Sequence, residues 1–406
     1  MEMDAADTQN TMEERLYLIQ PSHRENSRDH EPGDIDMQIC CFKVSPRAHN
    51  IITTIVSVIS TLCLFVSYPM VDQSLTECGG DSYFLVAHTV LWSAVLMVLY
   101  VLVAKLYVQH AVSIVPTILS FRRVVLVAFL AATGGLLLMY ACEANHLPRT
   151  LKGVVALALI PMVWMCGLAA KWTGLKDLQL SHLAVIATGT ASLFLSLIPQ
   201  IFDFDYKETG WSHVRNTATL ITWAVVMGLA LLELCVAFTF MEKEINRIGV
   251  HVKVHFAWMM FFLAIFVVLF FWSNFVPSVG KTSSSSEFYD DMIRSAKCSY
   301  SLGHESTLFG TWIVVVTFLL SGYLFSSMMQ FGQSGATYGV MVQLVGIPLY
   351  GIWWELFKYP PLTWEPEYSW SIIFYALGLL GQLIAMVLYR VYDKVDGPNT
   401  APMRLQ

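Results

Sequence analysis

Several ionisable residues lie inside or at the ends of long apolar runs, where an ionised side chain is unfavourable. The deepest is Glu233 in LALLELCVAF, which has no basic residue within a helical turn on either side. A lone carboxyl group at such a position can bind and release a proton or attract a cation. Glu233 is therefore a predicted proton-coupling or cation-binding residue. The alternative is a protonated carboxyl group that hydrogen-bonds to a neighbouring helix.

A second set of titratable residues lies at run ends that are expected to face the same side. It consists of His88, Glu143, His146, Asp203, Asp205 and Glu355. Histidine beside a carboxylate titrates between about pH 5 and 7, so these residues are predicted to frame a vestibule that responds to acidity. Helix capping near water is at least as good an interpretation for the two aspartates and Glu355.

Polar and aromatic residues of two later runs are predicted to line the opposite wall, and packing is the alternative role for each. They are Tyr323, Ser326, Gln330, Tyr338, Gln343 and Trp353. The sequence contains no nucleophile–base arrangement, Walker motif, HExxH motif or metal-ligand spacing. We therefore expect no enzymatic activity, no cofactor and no metal.

The runs that carry these residues predict an all-α polytopic membrane protein. Of 406 residues, 56% are hydrophobic and only 13% are charged, and the apolar residues form blocks of about twenty. Helices satisfy their own backbone hydrogen bonds within lipid, so we expect ten transmembrane helices embedded in a lipid bilayer. They are predicted at 51–71, 83–105, 124–142, 151–170, 182–202, 217–240, 255–277, 307–329, 336–357 and 369–390.

Charge indicates the orientation and excludes one class of partner. The net charge is −6 and no basic face is apparent, which argues against nucleic-acid binding. Lysine and arginine are more frequent on one side of the spans, so that side, with both termini, is expected to face the cytosol. We predict a disordered cytosolic tail at 1–48, five-helix repeats at 49–202 and 217–390, a lumenal linker at 203–216 and a cytosolic tail at 391–406.

Two cysteines in polar loops are expected to face the same non-cytosolic compartment. Cys78 follows span 1, and Cys298 lies in the long loop 278–306 after span 7. We predict a disulfide between them, and two free thiols are the alternative.

A shift of 187 residues, the separation of Pro161 and Pro348, lays spans 3, 4 and 5 on spans 8, 9 and 10 without a gap. Gly135 then meets Gly322. Equal spacing of three consecutive spans predicts duplicated halves of five helices, and an odd number of spans inverts the second half in the membrane. Pro161 and Pro348 are predicted to kink spans 4 and 9 around a central cavity, because proline removes a backbone hydrogen bond. Tolerated packing is the alternative.

Four segments carry a family resemblance. They are EANHLPRTLKGVVALALIPMVW (143–164), the loop 278–306, MMQFGQSGATYGVMVQLVGIPLYGIWW (328–354) and GLLGQLIAMVLY (378–389). Together they resemble the chloroquine-resistance-transporter-like family of the drug/metabolite transporter superfamily over about residues 50–390. The chain departs from that family in having one cysteine in the loop 278–306, and in Glu143 and His146, where small or uncharged residues are usual.

This resemblance implies the drug/metabolite transporter fold, with ten helices in a 5+5 inverted repeat. With the titratable residues, it predicts a proton-coupled secondary transporter that moves small solutes out of an acidic organelle. Amino acids, short peptides, thiols and cationic drugs are the expected solute classes. A Golgi nucleotide-sugar carrier of the same superfamily is one alternative, although the basic residues lie at or beyond span ends. A non-transporting receptor or scaffold is the other.

The N-terminal tail contains a predicted sorting signal. ERLYLI, with Glu14, Leu18 and Ile19, resembles the acidic dileucine motif that clathrin adaptors read. Clathrin adaptors are therefore expected partners of the tail. Like the family resemblance, the motif favours an endolysosomal or vacuolar membrane.

Overall fold

The computed structural model describes thirteen stretches of the chain. They are 37–39, 42–44, 46–107, 118–143, 146–171, 180–202, 217–248, 252–277, 279–280, 282–300, 307–358, 363–366 and 369–396. The predicted sorting residues Glu14, Leu18 and Ile19 lie outside these stretches, as do the linker 203–216 with Asp203 and Asp205.

The chain divides into two compact units, Met1–His49 and Asn50–Gln406. In the first, strands β1 (Met37–Ile39) and β2 (Phe42–Val44) pair antiparallel, with Ile39 opposite Phe42. These strands fall within the segment predicted to be a disordered tail.

The second unit consists almost entirely of helices in its described part. In chain order they are α1 (Pro46–Glu77, beginning in the first unit), α2 (Ser82–Tyr107), α3 (Ile118–Ala141), α4 (Arg149–Ala156), α5 (Leu159–Lys171), α6 (Leu180–Ile201), α7 (Thr217–Ile248), α8 (Val252–Leu269), α9 (Ser285–Ser299), α10 (Thr307–Ser334), α11 (Ala336–Leu344), α12 (Gly346–Leu356) and α13 (Ser371–Asp396). A 3₁₀ helix, Phe270–Phe275, continues α8. Two-residue strands β3 (Phe357–Lys358) and β4 (Thr363–Trp364) pair antiparallel between α12 and α13.

Nine helical segments of the described part are long and apolar enough to cross a membrane. They coincide with nine of the ten predicted spans, and the chain is an all-α, multi-pass membrane protein. The remaining predicted span, 307–329, falls in α10, where the described apolar stretch Val315–Phe331 is shorter. The end of the helix assembly at which α1 begins is called the tail end. The end that carries α9 is called the loop end.

Two of the predicted spans are each divided into two helices. The fourth contains α4 and α5, and the ninth contains α11 and α12. In both, the second helix begins two residues before proline, so that Pro161 and Pro348 occupy its first turn. Proline is tolerated there because the first amides of a helix have no intrahelical acceptor.

Helices pack most closely where small residues meet. Gly378 and Gly381 of α13 lie against Ser196 and Ser192 of α6, and a β-carbon at either glycine would collide with the serine hydroxyl. Small residues let helix backbones approach within a membrane, where burial of apolar surface gives little drive for association. The central core lies among α3, α5, α6, α7, α8 and α11.

Candidate functional site

Glu233 lies near the middle of α7, where α7 packs against α3. Gly134 of α3 makes this contact possible, since a β-carbon there would lie 3.0 Å from the carbonyl oxygen of Ala230 and 3.2 Å from the β-carbon of Glu233. Glu233 Oε2 is buried and has no hydrogen-bond partner within the described residues. Within the described residues, this oxygen therefore does not form the hydrogen bond to a neighbouring helix that was the alternative interpretation of Glu233.

His146 lies at the loop end, in the turn between α3 and α4. Its ring stacks on the indole of Trp223, with centroids 3.8 Å apart and planes at 13°. Its Nδ1 lies 2.6 Å from the backbone carbonyl oxygen of Tyr140. A carbonyl only accepts, so Nδ1 carries the hydrogen and Nε2 is the ring nitrogen with the lone pair. Glu143 belongs to the same turn, where its carbonyl accepts from the backbone N–H of His146 at 3.1 Å.

Tyr140 connects this turn to the end of the eighth helix. Its hydroxyl lies 2.8 Å from Ser273 Oγ and donates to Asn274 Oδ1 at 3.1 Å. Asn274 is 1% exposed, and Asn274 Nδ2 donates to the carbonyl of Phe271. The residues predicted from the sequence do not include Tyr140, Trp223, Ser273 or Asn274. An asparagine at the end of an apolar run was the one signal that could have indicated this network.

His88 and Tyr83 lie on different faces of α2, and the face with Tyr83 is the one that packs towards Tyr140. His88 Nε2 is 2.5 Å from the hydroxyl of Tyr300, and its ring stacks on Phe84 at 5.4 Å. Tyr83 lies on the other face, where its hydroxyl donates to the carbonyl of Val267 at 2.6 Å. His88 and His146, both predicted for the vestibule, thus occupy different surroundings, with His88 beside α9 and His146 beside α7.

The helix α9 is tied to the turn between α1 and α2. A disulfide joins Cys78 to Cys298, with Cα atoms 6.4 Å apart. Ser295 Oγ accepts from the backbone N–H of Asp81 at 2.9 Å, and Arg294 Nη1 donates to the carbonyl of Gly79 at 3.4 Å. These contacts fix the end of α9, where Tyr300 meets His88.

The first turn of α9 is capped by serines and one glutamate. Ser284 Oγ accepts from the backbone N–H of Glu287, while Glu287 Oε2 accepts from the backbone N–H and the hydroxyl of Ser283 at 2.6 and 2.8 Å. This reciprocal pattern resembles a capping box. The hydrogen bonds from Ser283 lower the pKa of Glu287 below its ordinary value.

Gln330 and Tyr338 lie at the tail end, where one arginine connects them. Gln330 is fully buried, and its Nε2 donates to Thr54 Oγ1 at 3.0 Å. Arg390 Nη2 donates to the same oxygen at 3.3 Å, and its guanidinium lies over the Tyr338 ring at 4.7 Å. Two residues of the predicted wall thus meet beside Arg390, which sequence reasoning counted only as a basic residue at a span end.

The other residues of the predicted wall lie elsewhere. Gln343 and Ser326 are buried within α11 and α10. At the loop end, Trp353 stacks on Phe357 at 4.3 Å. Glu355, which was predicted for the vestibule and not for the wall, lies near it in the same helix, where its Oε2 accepts from Ser369 Oγ at 2.9 Å. The structure therefore does not gather all of these residues in one site.

Three consecutive charged residues of α7 reach three different helices at the tail end. Glu242 Oε2 accepts from the backbone N–H of Ala336 at 2.8 Å, at the start of α11. Lys243 Nζ donates to the carbonyl of Ala170 at 3.1 Å, near the end of α5. Glu244 forms an ion pair with Arg123 of α3. An anion at a helix N-terminus and a cation at a C-terminus both match the helix dipole. No local pattern in the sequence predicted this cluster.

An apolar pocket lies between α2 and α8, and none of the candidate residues lines it. Its lining is Val98, Val101, Leu102, Val254, Ala257, Trp258 and Phe261. No group of three or more His, Cys, Asp or Glu residues that could hold a metal ion occurs in the described part of the chain.

Comparison with known protein families and with curated proteins gives no match to this chain.

Proposed function

We propose that the chain is a proton-coupled secondary transporter with the drug/metabolite transporter fold, similar to the chloroquine-resistance-transporter-like family. It would move small solutes such as amino acids, short peptides, thiols or cationic drugs out of an acidic organelle. The tail end would face the cytosol with both termini, and the loop end would face the lumen of an endolysosomal or vacuolar compartment.

The observation that carries the proposal is a pair of equivalent helix breaks. The helices that follow the breaks begin at Leu159 and Gly346, and 346 − 159 = 187 is the shift that aligns the two halves of the sequence. After each break the same hydrogen bond recurs, from Met162 to Ala158 at 2.9 Å and from Leu349 to Val345 at 3.4 Å. Matching breaks near the centre of matching spans are typical of transporters built from inverted repeats.

The packing of the helices supports the same two halves. Spans that correspond in the predicted repeat contact each other, namely α2 with α8, α5 with α11 and α6 with α13. The contact between α3 and α8 also recurs as the contact between α10 and α2, because α10 is the repeat equivalent of α3 and α2 is the repeat equivalent of α8. Contacts that recur when the halves are exchanged are expected around a two-fold pseudo-axis. With α10 counted as the eighth span, each half has five spans and the second is inverted.

Proton coupling is supported by two side chains at different depths. Glu233 has a buried carboxylate oxygen without a described partner, midway along α7. His146 presents an Nε2 that can take up a proton at the loop end. A proton could thus be taken up at the lumenal side and bound again within the membrane.

A flux measurement tests the proposal directly. The purified protein is reconstituted into proteoliposomes with an imposed pH gradient, and uptake of labelled amino acids, dipeptides, glutathione, chloroquine and nucleotide sugars is compared. We expect Glu233→Gln to abolish gradient-driven uptake. Glu365→Gln, at an exposed side chain of the β3–β4 segment, is the matched control and should leave uptake unchanged.

Three results would contradict the proposal. Normal gradient-driven uptake by Glu233→Gln would remove Glu233 from the coupling mechanism. Absence of flux for all solutes with the wild-type protein, together with unchanged metabolites in the organelle after deletion, would favour the receptor or scaffold. Uptake of nucleotide sugars alone would favour the Golgi carrier.

The compartment is tested separately by tagging, and Leu18→Ala with Ile19→Ala should shift the protein to the cell surface.

A further inference from the structure

One hydroxyl group at the tail end joins three helices. Thr54 Oγ1 of α1 accepts hydrogen bonds from Gln330 Nε2 of α10 at 3.0 Å and from Arg390 Nη2 of α13 at 3.3 Å. Its own hydrogen is donated to the carbonyl oxygen of Asn50 at 2.8 Å. A hydroxyl has one donor and two acceptor positions, so the hydrogen-bonding capacity of Thr54 is fully used. Because this hydroxyl can only accept from Gln330, that side chain presents its amide nitrogen to Thr54.

Arg390 extends these contacts to a fourth helix. Its guanidinium lies over the ring of Tyr338, close to the start of α11, at 4.7 Å from the ring centroid. An arginine in this position is attracted by the negative face of the ring. No ion pair joins Arg390 to a carboxylate of the described chain. The contacts to Thr54 and Tyr338 are therefore the ones that place its guanidinium.

The first helix is held mainly by side-chain contacts of this kind. The backbone of α1 makes no extended close approach to another helix of the described chain, unlike the pairs α6 with α13 and α3 with α7. Thr61 of α1 lies at the break of the ninth span, since a β-carbon at Gly346 would be 2.5 Å from Thr61 Cγ2. Thr54 and Thr61 are seven residues apart and so lie on the same face of α1. This face meets α11 through Arg390 at one end and the break at the other.

Two buried oxygens show that the closed arrangement is not fully satisfied. Asn50 Oδ1 and Gln330 Oε1 are buried and have no hydrogen-bond partner within the described residues. A buried polar atom without a partner costs free energy, which contact with water would recover. Arg390 is half-buried, so its guanidinium is close enough to solvent to be hydrated once its contacts separate. The contacts favour closure and the two oxygens oppose it, as expected of a joint that can open.

The two broken spans differ in burial. In an 18-residue stretch of each, 72% of the residues of the ninth span are buried, against 17% of the fourth. The predicted repeat makes these spans equivalent, and the helix before the break is α11 at the tail end and α4 at the loop end. The protein therefore encloses α11 more fully than its equivalent α4.

We propose that Thr54, Gln330, Tyr338 and Arg390 form a latch that holds the tail end closed, and that opening moves α1 away from α10 and α13. Opening breaks the hydrogen bonds that Thr54 Oγ1 accepts, and the freed groups are hydrated without any change in covalent bonds. Arg390 is a positioning residue that also holds α13 against α11. The role of the latch as the cytosolic gate of a transport cycle rests on the proposed function, whereas the latch itself does not.

A distance measurement at the tail end tests the latch without any measurement of transport. The full chain in lipid nanodiscs carries nitroxide labels on unnatural amino acids at Ile51 of α1 and Phe240 of α7, which are both exposed, and the native cysteines stay intact. Double electron–electron resonance gives the distribution of distances between the labels. Thr54→Val keeps the branched shape of the side chain and removes the acceptor of Gln330 and Arg390. We expect it to raise the fraction of a longer distance about five-fold, the effect of one net hydrogen bond.

Thr222→Val is the matched control, because the same change falls on an exposed threonine whose hydroxyl donates within its own helix, to the carbonyl of Ala218 at 2.9 Å. It should leave the distribution unchanged. Arg390→Gln, which removes the guanidinium from the Tyr338 ring, should also raise the longer distance, and it decides the test if Thr54→Val does not fold. Distributions equal to that of the wild type in both latch variants, or an equal change in Thr222→Val, overturn the proposal.

Failure of the latch and failure of the proposed function give different results. Absence of solute flux in the wild type, together with a longer distance in Thr54→Val, would reject the transporter and leave the latch standing. Gradient-driven flux in the wild type, together with unchanged distances in both latch variants, would reject the latch and leave the transporter standing.

Discussion

Glu242 Oε2 accepts a hydrogen bond of 2.8 Å from the backbone N–H of Ala336, the first residue of α11. The carboxylate thus satisfies an amide that has no acceptor within its own helix. Gly335 precedes it with φ of 86°, a conformation that glycine adopts without strain, and this turn lets α10 and α11 follow each other closely. The end of α7 thereby fixes the start of the ninth span.

Loss of this contact should destabilise the protein. Glu242→Ala removes a hydrogen bond to a charged acceptor and a favourable helix-terminus charge, at an expected cost of about 1–3 kcal/mol. Thermal unfolding in detergent or nanodiscs measures the change. Glu365→Ala, which removes an exposed partner of Lys358, should change stability by less than about 1 kcal/mol. Equal effects of the two substitutions would show that the contact at Ala336 is not important for folding.

Neighbouring glycines of α3 should respond differently to alanine. A β-carbon at Gly134 would lie 3.0 Å from the backbone oxygen of Ala230, whereas one at Gly135 would meet nothing within 4 Å. Gly134→Ala must push α3 away from α7 and should cost about 1–3 kcal/mol. Gly135→Ala should be neutral or stabilise by up to about 1 kcal/mol, since alanine favours the helix. The measurement is thermal unfolding of both variants beside the wild type.

The same pair separates packing from coupling in flux measurements. Gly134→Ala also displaces the helix that contacts Glu233, so gradient-driven uptake should fall while Gly135→Ala retains it. Destabilisation by Gly135→Ala equal to that by Gly134→Ala would contradict the close approach of α3 and α7.

Hydropathy predicted most of the helices because lipid imposes a long apolar segment on each of them. Their ends were less predictable. The sixth predicted span was expected to end at 240, but α7, which contains it, continues to Ile248. Glu242, Lys243 and Glu244 look like solvent-exposed residues in sequence, whereas each finds a partner on another helix. Such partners are distant in the chain, so no local pattern reveals them.

The candidate site shows the same limit. Glu233 was recognisable because an isolated carboxyl group in an apolar run is rare. Arg390 was not, because a basic residue at a span end also fits an interfacial residue, and only the fold places its guanidinium over the Tyr338 ring. The helix α9 was missed although SSSSEF contains the serine and glutamate of its cap. Polar composition made the segment look like an irregular loop.

Replacing one cysteine of the disulfide should destabilise the protein as much as replacing both. Cys78→Ser and Cys298→Ser each open the same bridge, which closes a separation of 220 residues, and each should cost about 2–5 kcal/mol. The double variant should cost no more than either single one. Mass spectrometry after alkylation without reductant should find Cys78 and Cys298 joined in the wild type. Additive losses, or alkylation of both thiols, would contradict the bridge.

Acidity should weaken the first turn of α9 only well below the pH of an acidic organelle. The pKa of Glu287 is lowered in the folded chain by hydrogen bonds from Ser283. The ionised carboxylate therefore contributes stability that is fully present above its ordinary pKa of about 4.3 and is lost as the pH falls through the lowered value. Hydrogen exchange should show the first turn of α9 equally protected at about pH 7 and pH 5, with protection falling towards pH 3 after correction for intrinsic rates.

Glu287→Gln should remove most of this pH dependence, while Asp290→Asn, at an exposed residue of the same helix, should retain it. Protection that falls between pH 7 and 5 in the wild type would mean that another group controls this helix.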